Sequence, residues 1–176
     1  MERRVEAANS SFAFFLRHRR AFIIIAIIAV ASLAAWRAYR DVWFETILLS
    51  PDSGYEGGEH MFLIIRDEIE WRKVWGLATA DYVSPPKLPE VDFSRYTVIA
   101  VFQAQGIAPS AIRIEGITRG WDGSLTVKVV NYVPPPGWAL HLTVVSPVHI
   151  VKIGRMDGKI HFEITERYIR KLPIFS

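Results

Sequence analysis

The stretch AIRIEGIT (residues 111–118), followed by RGWDG (119–123) and SLTVKVVNYV (124–133), alternates apolar and polar residues with a period of two. That is the period of a pleated strand whose two faces see different surroundings. Read strictly, Ile112, Ile114 and Gly116 share one face, and Arg113, Glu115 and Ile117 share the other. Asp122-Gly123 is a hairpin signal between the two runs, because the pair accepts the left-handed backbone of a tight turn. Upstream, Tyr96 to Gln105 reads as an apolar strand. Downstream, Leu140 to Ile153 reads as two shorter strands or a bulged edge, since Pro147 interrupts the run. Met156-Asp157-Gly158-Lys159 predicts a second tight hairpin turn, leading into a strand over Ile160 to Thr165.

Nearer the N-terminus, Val42 to Leu49 and His60 to Arg66 read as strands, parted by the turn-rich Ser50-Pro51-Asp52-Ser53-Gly54. One helix is expected after them. Asp67 can cap it, Glu70 completes a capping box, and the helix runs to about Leu77. Trp71 and Trp75 lie one turn apart, which suits packing of the helix on a sheet better than a ligand stack. Pro85, Pro86 and Pro89 then forbid helix. The expected fold class is α+β: one mostly antiparallel β domain over residues 41–165 with a single packed helix, then a tail over 166–176 that is a short helix or disordered.

Ahead of this domain lies an uncharged apolar run, Ala21 to Trp36, flanked by Arg17, Arg19 and Arg20 and by Arg37 and Arg40. Its residues cover about 24 Å as a helix, against roughly 30 Å of hydrocarbon. Arg20 and Arg37 can snorkel, and Trp36, Tyr39 and Trp43 form an aromatic belt at the interface. The expectation is a transmembrane helix over residues 21–39. Ala29-Val30-Ala31 and Ser32-Leu33-Ala34 also offer signal-peptidase spacing, but the long lead favours an uncleaved signal anchor. A pilin-type leader cut after Ala21 lacks an acid at its fifth mature position, where Ala26 stands. Residues 1–20 form a basic arm carrying the whole net charge of +3, while the remainder balances sixteen basic against sixteen acidic residues. The positive-inside rule then puts the arm in the cytoplasm and the domain outside, as a single-pass protein of the cell membrane. A neutral domain argues against nucleic acid as a partner. With no cysteine, thiolate metals, thiol nucleophiles and disulfides are excluded. Many arginines and isoleucines without cysteine suggest a prokaryotic chain.

Asp52-Ser53-Gly54-Tyr55, Glu70-Trp71, Trp75-Gly76, Pro89-Glu90-Val91-Asp92-Phe93-Ser94, Val98-Ile99-Ala100-Val101-Phe102, Pro135-Pro136-Gly137, Ser146-Pro147 and Val151-Lys152-Ile153 occur in this order. Over about Phe44 to Ile153 the chain thereby resembles the C-terminal domain of PrcB-type subunits of surface protease complexes. The resemblance implies an accessory domain in an envelope complex and no activity of its own. It departs from the family where a Pro-Thr-Gly-Gly-Tyr-like turn is expected. Here Gly106 and Pro109 match, and the double glycine and tyrosine do not.

Motifs for chemistry are missing: there is no Gly-x-Ser-x-Gly elbow, no phosphate loop, no dinucleotide fingerprint and no helical His-x-x-x-His pair. His60, His141, His149 and His161 are expected to be separate rather than a metal site, and Asp52, Glu56 and Glu59 match no calcium loop. The chain is therefore expected to have no catalytic, metal or cofactor site. Its candidate interaction residues are Gly106 and Pro109 on one loop and Pro135, Pro136, Gly137 and Trp138 on another, where prolines pre-set an extended chain and Trp138 offers an anchor. The partners expected are membrane lipid and other envelope or surface proteins, a protease among them. The function expected is a non-enzymatic, membrane-tethered accessory or stabilising subunit. The alternative is a pilin-like filament subunit packed through the apolar helix.

Overall fold

The structure is a computed structural model that describes residues 22–36, 40–137 and 143–169. The chain divides into two units, Met1–Arg40 and Asp41–Ser176. In the first, residues 22–36 form helix α1, whose large apolar side chains, Phe22 through Leu33, are exposed on all faces. Among the described residues, no helix is long and apolar enough to cross a membrane. At helical rise, α1 covers about 22 Å. Ala21 and residues 37–39, the ends of the span expected from sequence, lie outside the described residues, as do Arg20, Arg37 and Tyr39.

The second unit is α+β and mostly antiparallel. In chain order its elements are β1 (Glu45–Ser50), β2 (Met61–Ile65), α2 (Glu68–Ala78), β3 (Tyr96–Phe102), β4 (Gly106–Ile107), β5 (Ala111–Arg119), β6 (Leu125–Val133), β7 (Val144–Val145), β8 (Val148–Gly154) and β9 (Ile160–Tyr168). A four-stranded antiparallel sheet has the order β1-β8-β3-β2, and a three-stranded sheet the order β5-β6-β9. The short pair β4-β7 stands apart from both.

Strand β3 explains the layering. Its sequence YTVIAVF is apolar on both faces, as a strand covered on both sides must be. Val98, Ala100 and Phe102 turn to a cluster holding Trp71, Val74, Trp75 and Ala78 of α2. Ile99 and Val101 turn the other way, to Ile112, Ile114 and Ile117 of β5 and Val127 and Val129 of β6. Helix, sheet and second sheet therefore form three layers over two hydrophobic seams.

The cap of α2 follows its sequence. Asp67 is extended, and its carboxylate accepts from Glu70 N–H at 2.8 Å. The two tryptophans share the buried face, with rings 5.3 Å apart. Each also fixes the proline-rich chain that follows. Trp71 Nε1 donates to Pro89 O at 2.9 Å, and Trp75 Nε1 to Pro86 O at 3.1 Å. Buried indole N–H groups need such partners.

Three sequence expectations are corrected. First, β5 is not strictly alternating. Its register with β6 shifts between Ile114 and Gly116, so the bulged Glu115 returns Ile117 to the face of Ile112 and Ile114, where it is buried. Second, the turn over Met156 to Lys159 does not close a hairpin. β8 belongs to the four-stranded sheet, and β9 crosses to lie parallel to β6, from Leu125 opposite Ile160 to Val133 opposite Tyr168. Third, β9 continues past Thr165 through Glu166 and Arg167 to Tyr168, so these residues are strand rather than tail. The expected split at Pro147 is present, as β7 and β8.

Candidate functional site

The strands run so that one end of the domain collects the loops after β1, β3 and β6. There, two segments far apart in sequence meet. Gly106 pairs with Val145 and Ile107 with Val144, and Ala108 N–H donates to Thr143 O at 2.9 Å. The candidate loop holding Gly106 and Pro109 is thus sewn to the chain that follows Pro135, Pro136 and Gly137. Ile107 and Val144 are 40% and 57% exposed, side by side on this two-stranded patch.

Gly106 has a packing reason. A Cβ there would come within 3.0 Å of Gln103 Nε2 and 3.2 Å of Ser110 Oγ, both on buried residues. Ser110 Oγ donates to Ile107 O at 2.6 Å and closes the loop, which carries a cis bond before Pro109. Gly137 ends its segment at φ +82°, a backbone region that excludes most side chains. Trp138, the anchor expected from sequence, lies outside the described residues, as does His141.

Beneath the patch is a built polar floor. Asp52 Oδ1 accepts from Ser146 N–H at 2.9 Å and from Ser53 N–H at 3.0 Å, while Ser53 Oγ donates to Ser146 O at 2.7 Å. Ser50 Oγ donates to Asp52 O at 2.6 Å. Gln103 N–H donates to Pro147 O at 2.8 Å. Gly54 N–H reaches Leu77 O at the end of α2 at 3.0 Å, and a Cβ on Gly54 would stand 2.5 Å from that of Ala80. The Asp52-Ser53-Gly54 and Ser146-Pro147 elements, distant in sequence, form one hydrogen-bonded unit. Two buried acceptors, Gln103 Oε1 and Asn131 Oδ1, have no partner among the described residues.

The histidines are dispersed. His149, 4% exposed, lies between the two large sheets. Its Nδ1 accepts from Ile114 N–H at 2.9 Å, so its Nε2 carries the proton and donates to Thr46 Oγ1 at 3.0 Å. Burial, with help from the charge of Arg113, lowers its pKa from 6.5 to about 4. This imidazole is neutral and accepts the Ile114 amide, which lies beside the β5 bulge. His60 Nδ1 accepts from Ala104 N–H at 3.0 Å; burial lowers its pKa and Glu166 partly opposes this. His161 is exposed on β9. Among the described residues, no three His, Asp or Glu side chains gather into a possible metal site. Asp52, an acid on the Gly-rich loop, spends its Oδ1 on backbone amides.

Of the interfacial residues expected from sequence, Trp36 is half-buried at the end of α1, and Trp43 is 77% exposed. Sequence reasoning missed Ile107 and Val144, because only the β4-β7 pairing makes neighbours of them. No family model, curated protein or solved structure matches this chain. The geometry sets an exposed aliphatic pair, Ile107 and Val144, next in the chain to a hydrogen-bonded unit of Asp52, Ser53 and Ser146.

Proposed function

We propose that this chain is a membrane-tethered, non-enzymatic accessory subunit that contacts an envelope partner through the loop end of its β domain. The observation that carries the contact is the pairing of Gly106–Ile107 with Val144–Val145. It sets two exposed aliphatic side chains side by side, next in the chain to Ser146, which Asp52 and Ser53 hold by hydrogen bonds. A patch fixed in advance binds without a large ordering cost. The tether rests on sequence: an uncharged apolar run between basic flanks, with all excess positive charge ahead of it, supports an N-terminus inside and a domain outside. Confinement to a membrane raises the effective concentration toward other tethered proteins. The resemblance to PrcB-type subunits supports a protease-associated complex as the setting.

The experiment is site-specific photocrosslinking in native membranes, with the reactive residue placed in turn at Ile107, Val144 and Ile69, which is exposed in the first turn of α2. Discrete adducts at the first two positions and none at Ile69 are expected. Equal labelling at all three would sink the contact surface. Release of the chain from membranes by alkaline carbonate would sink the tether.

A further inference from the structure

The edges of the two large sheets are managed differently. β5 is covered at one end, where Val42 N–H donates to Ile117 O and Asp41 bridges Thr118, and it is bulged at Glu115. β1 is bulged between Thr46 and Leu48. β2 is only 5 residues long. Bulges, covers and short lengths are the usual ways to stop a sheet edge from pairing with another chain. β9 uses none of them. It runs 9 residues without a proline, a lysine or a register shift against β6, and no described strand pairs its outer edge. From Glu163 to Tyr168 it is exposed throughout.

The direction of its backbone groups is fixed by its neighbour. Leu125 N–H donates to Lys159 O, and Ile169 N–H donates to Val133 O. Odd-numbered residues therefore turn their backbone groups to β6, and Phe162, Ile164, Glu166 and Tyr168 turn theirs to the open edge. We propose that β9 pairs antiparallel with β9 of a second copy about a two-fold axis through Thr165, joining two three-stranded sheets into one.

The register is chosen by charge. With Thr165 opposite itself, Glu163 faces Arg167 of the partner copy and Phe162 faces its Tyr168, each twice by symmetry. Opposite charges and aromatic pairs across strands are favourable. A centre at Ile164 would set Glu163 against Thr165 and lose the ion pair, and a centre at Glu166 would set that carboxylate against itself. Arg167 already holds Glu115 at 2.9 Å, and its fork has donors to spare for a second carboxylate. This pairing does not depend on the tether or on the loop-end contact.

Because the chain has no cysteine, single replacements report the register directly. Thr165 would meet its copy as a non-hydrogen-bonded pair, with Cα atoms about 4.5 Å apart, inside the range of a disulfide. The full chain in detergent, carrying Thr165→Cys, is expected to run mostly as a disulfide dimer after mild oxidation. Glu163→Cys and Arg167→Cys alone are expected to stay monomeric, since each lies about 13 Å from its own copy. Mixing those two variants is expected to restore the crosslink. Uncrosslinked Thr165→Cys together with an uncrosslinked mixture would overturn the pairing. So would equal crosslinking at all three positions, which signals random collision or dimerisation through α1.

Discussion

Protonation of His149 should unfasten the two sheets. The imidazole is buried, accepts Ile114 N–H and donates to Thr46. Its charged form can no longer accept from the amide, and it must be desolvated as well. The folded pKa of about 4 lies below the ordinary 6.5, so the unfolded chain takes the proton first as pH falls. The stability linked to this group is therefore present above pH 6.5 and lost as pH falls toward 4. A separation of one pH unit between the folded and unfolded titrations is worth about 1.4 kcal/mol, so the loss across that window is roughly 3 kcal/mol. Urea unfolding of the detergent-solubilised chain, followed by the emission of buried Trp71 and Trp75, measures it at pH 7, 6, 5 and 4. Acidic side chains titrate in the same range, so the comparison is with His149→Asn. The amide oxygen of that variant can still accept from Ile114, but the side chain does not titrate. At pH 7 the variant should be less stable by about 1–3 kcal/mol, through the lost Thr46 bond and lost packing. The gap should close as pH falls. Parallel profiles for the two proteins would refute the assignment of this histidine as a neutral pin.

Three further outcomes follow from local geometry. Asp67→Ala removes the cap of α2 and should cost about 1 kcal/mol in urea unfolding, with Asp67→Ser close to neutral. Gly54→Ala forces a methyl group to 2.5 Å from Ala80 Cβ and should lower stability by about 1–3 kcal/mol, whereas Gly76→Ala, in open space on the helix, should raise it by up to about 1 kcal/mol. Asp52→Ala strips the acceptor shared by Ser53 and Ser146 N–H and should cost about 1–3 kcal/mol; hydrogen exchange should show faster opening of residues 143–147 than of β3.

Where a structural signal is local, it is legible in the sequence. Asp67 and Glu70 predict the cap that forms, and the one-turn spacing of Trp71 and Trp75 predicts the face that is buried. The unbroken apolar run of β3 foretells a strand covered on both sides, and Pro147 marks the break between β7 and β8. What is not legible depends on distant partners. Alternation in AIRIEGIT cannot reveal a bulge beside which the Ile114 amide goes to a histidine 35 residues away. Asp157-Gly158 carries a turn signal, but whether the next strand folds back or crosses to β6 is decided by which sheet needs an edge. The apolar patch of Ile107 and Val144 has no signature, since each residue alone is an ordinary loop aliphatic. The Asp52 floor is visible only as a turn.

The order of the four-stranded sheet bears on how the chain can be made. β8 lies between β1 and β3, and the bond from Thr46 to His149 spans 103 residues. At ordinary synthesis rates, β1 leaves the ribosome roughly 5 to 20 s before the strand it pairs with. Until β8 arrives, β1 has no neighbour and β3 is paired only with β2. The four-stranded sheet therefore cannot close until β8 has been made. A chain halted before His149 keeps the β2-β3 and β5-β6 pairs but lacks the strand that joins β1 to β3, so truncated products should be cleared rather than accumulate.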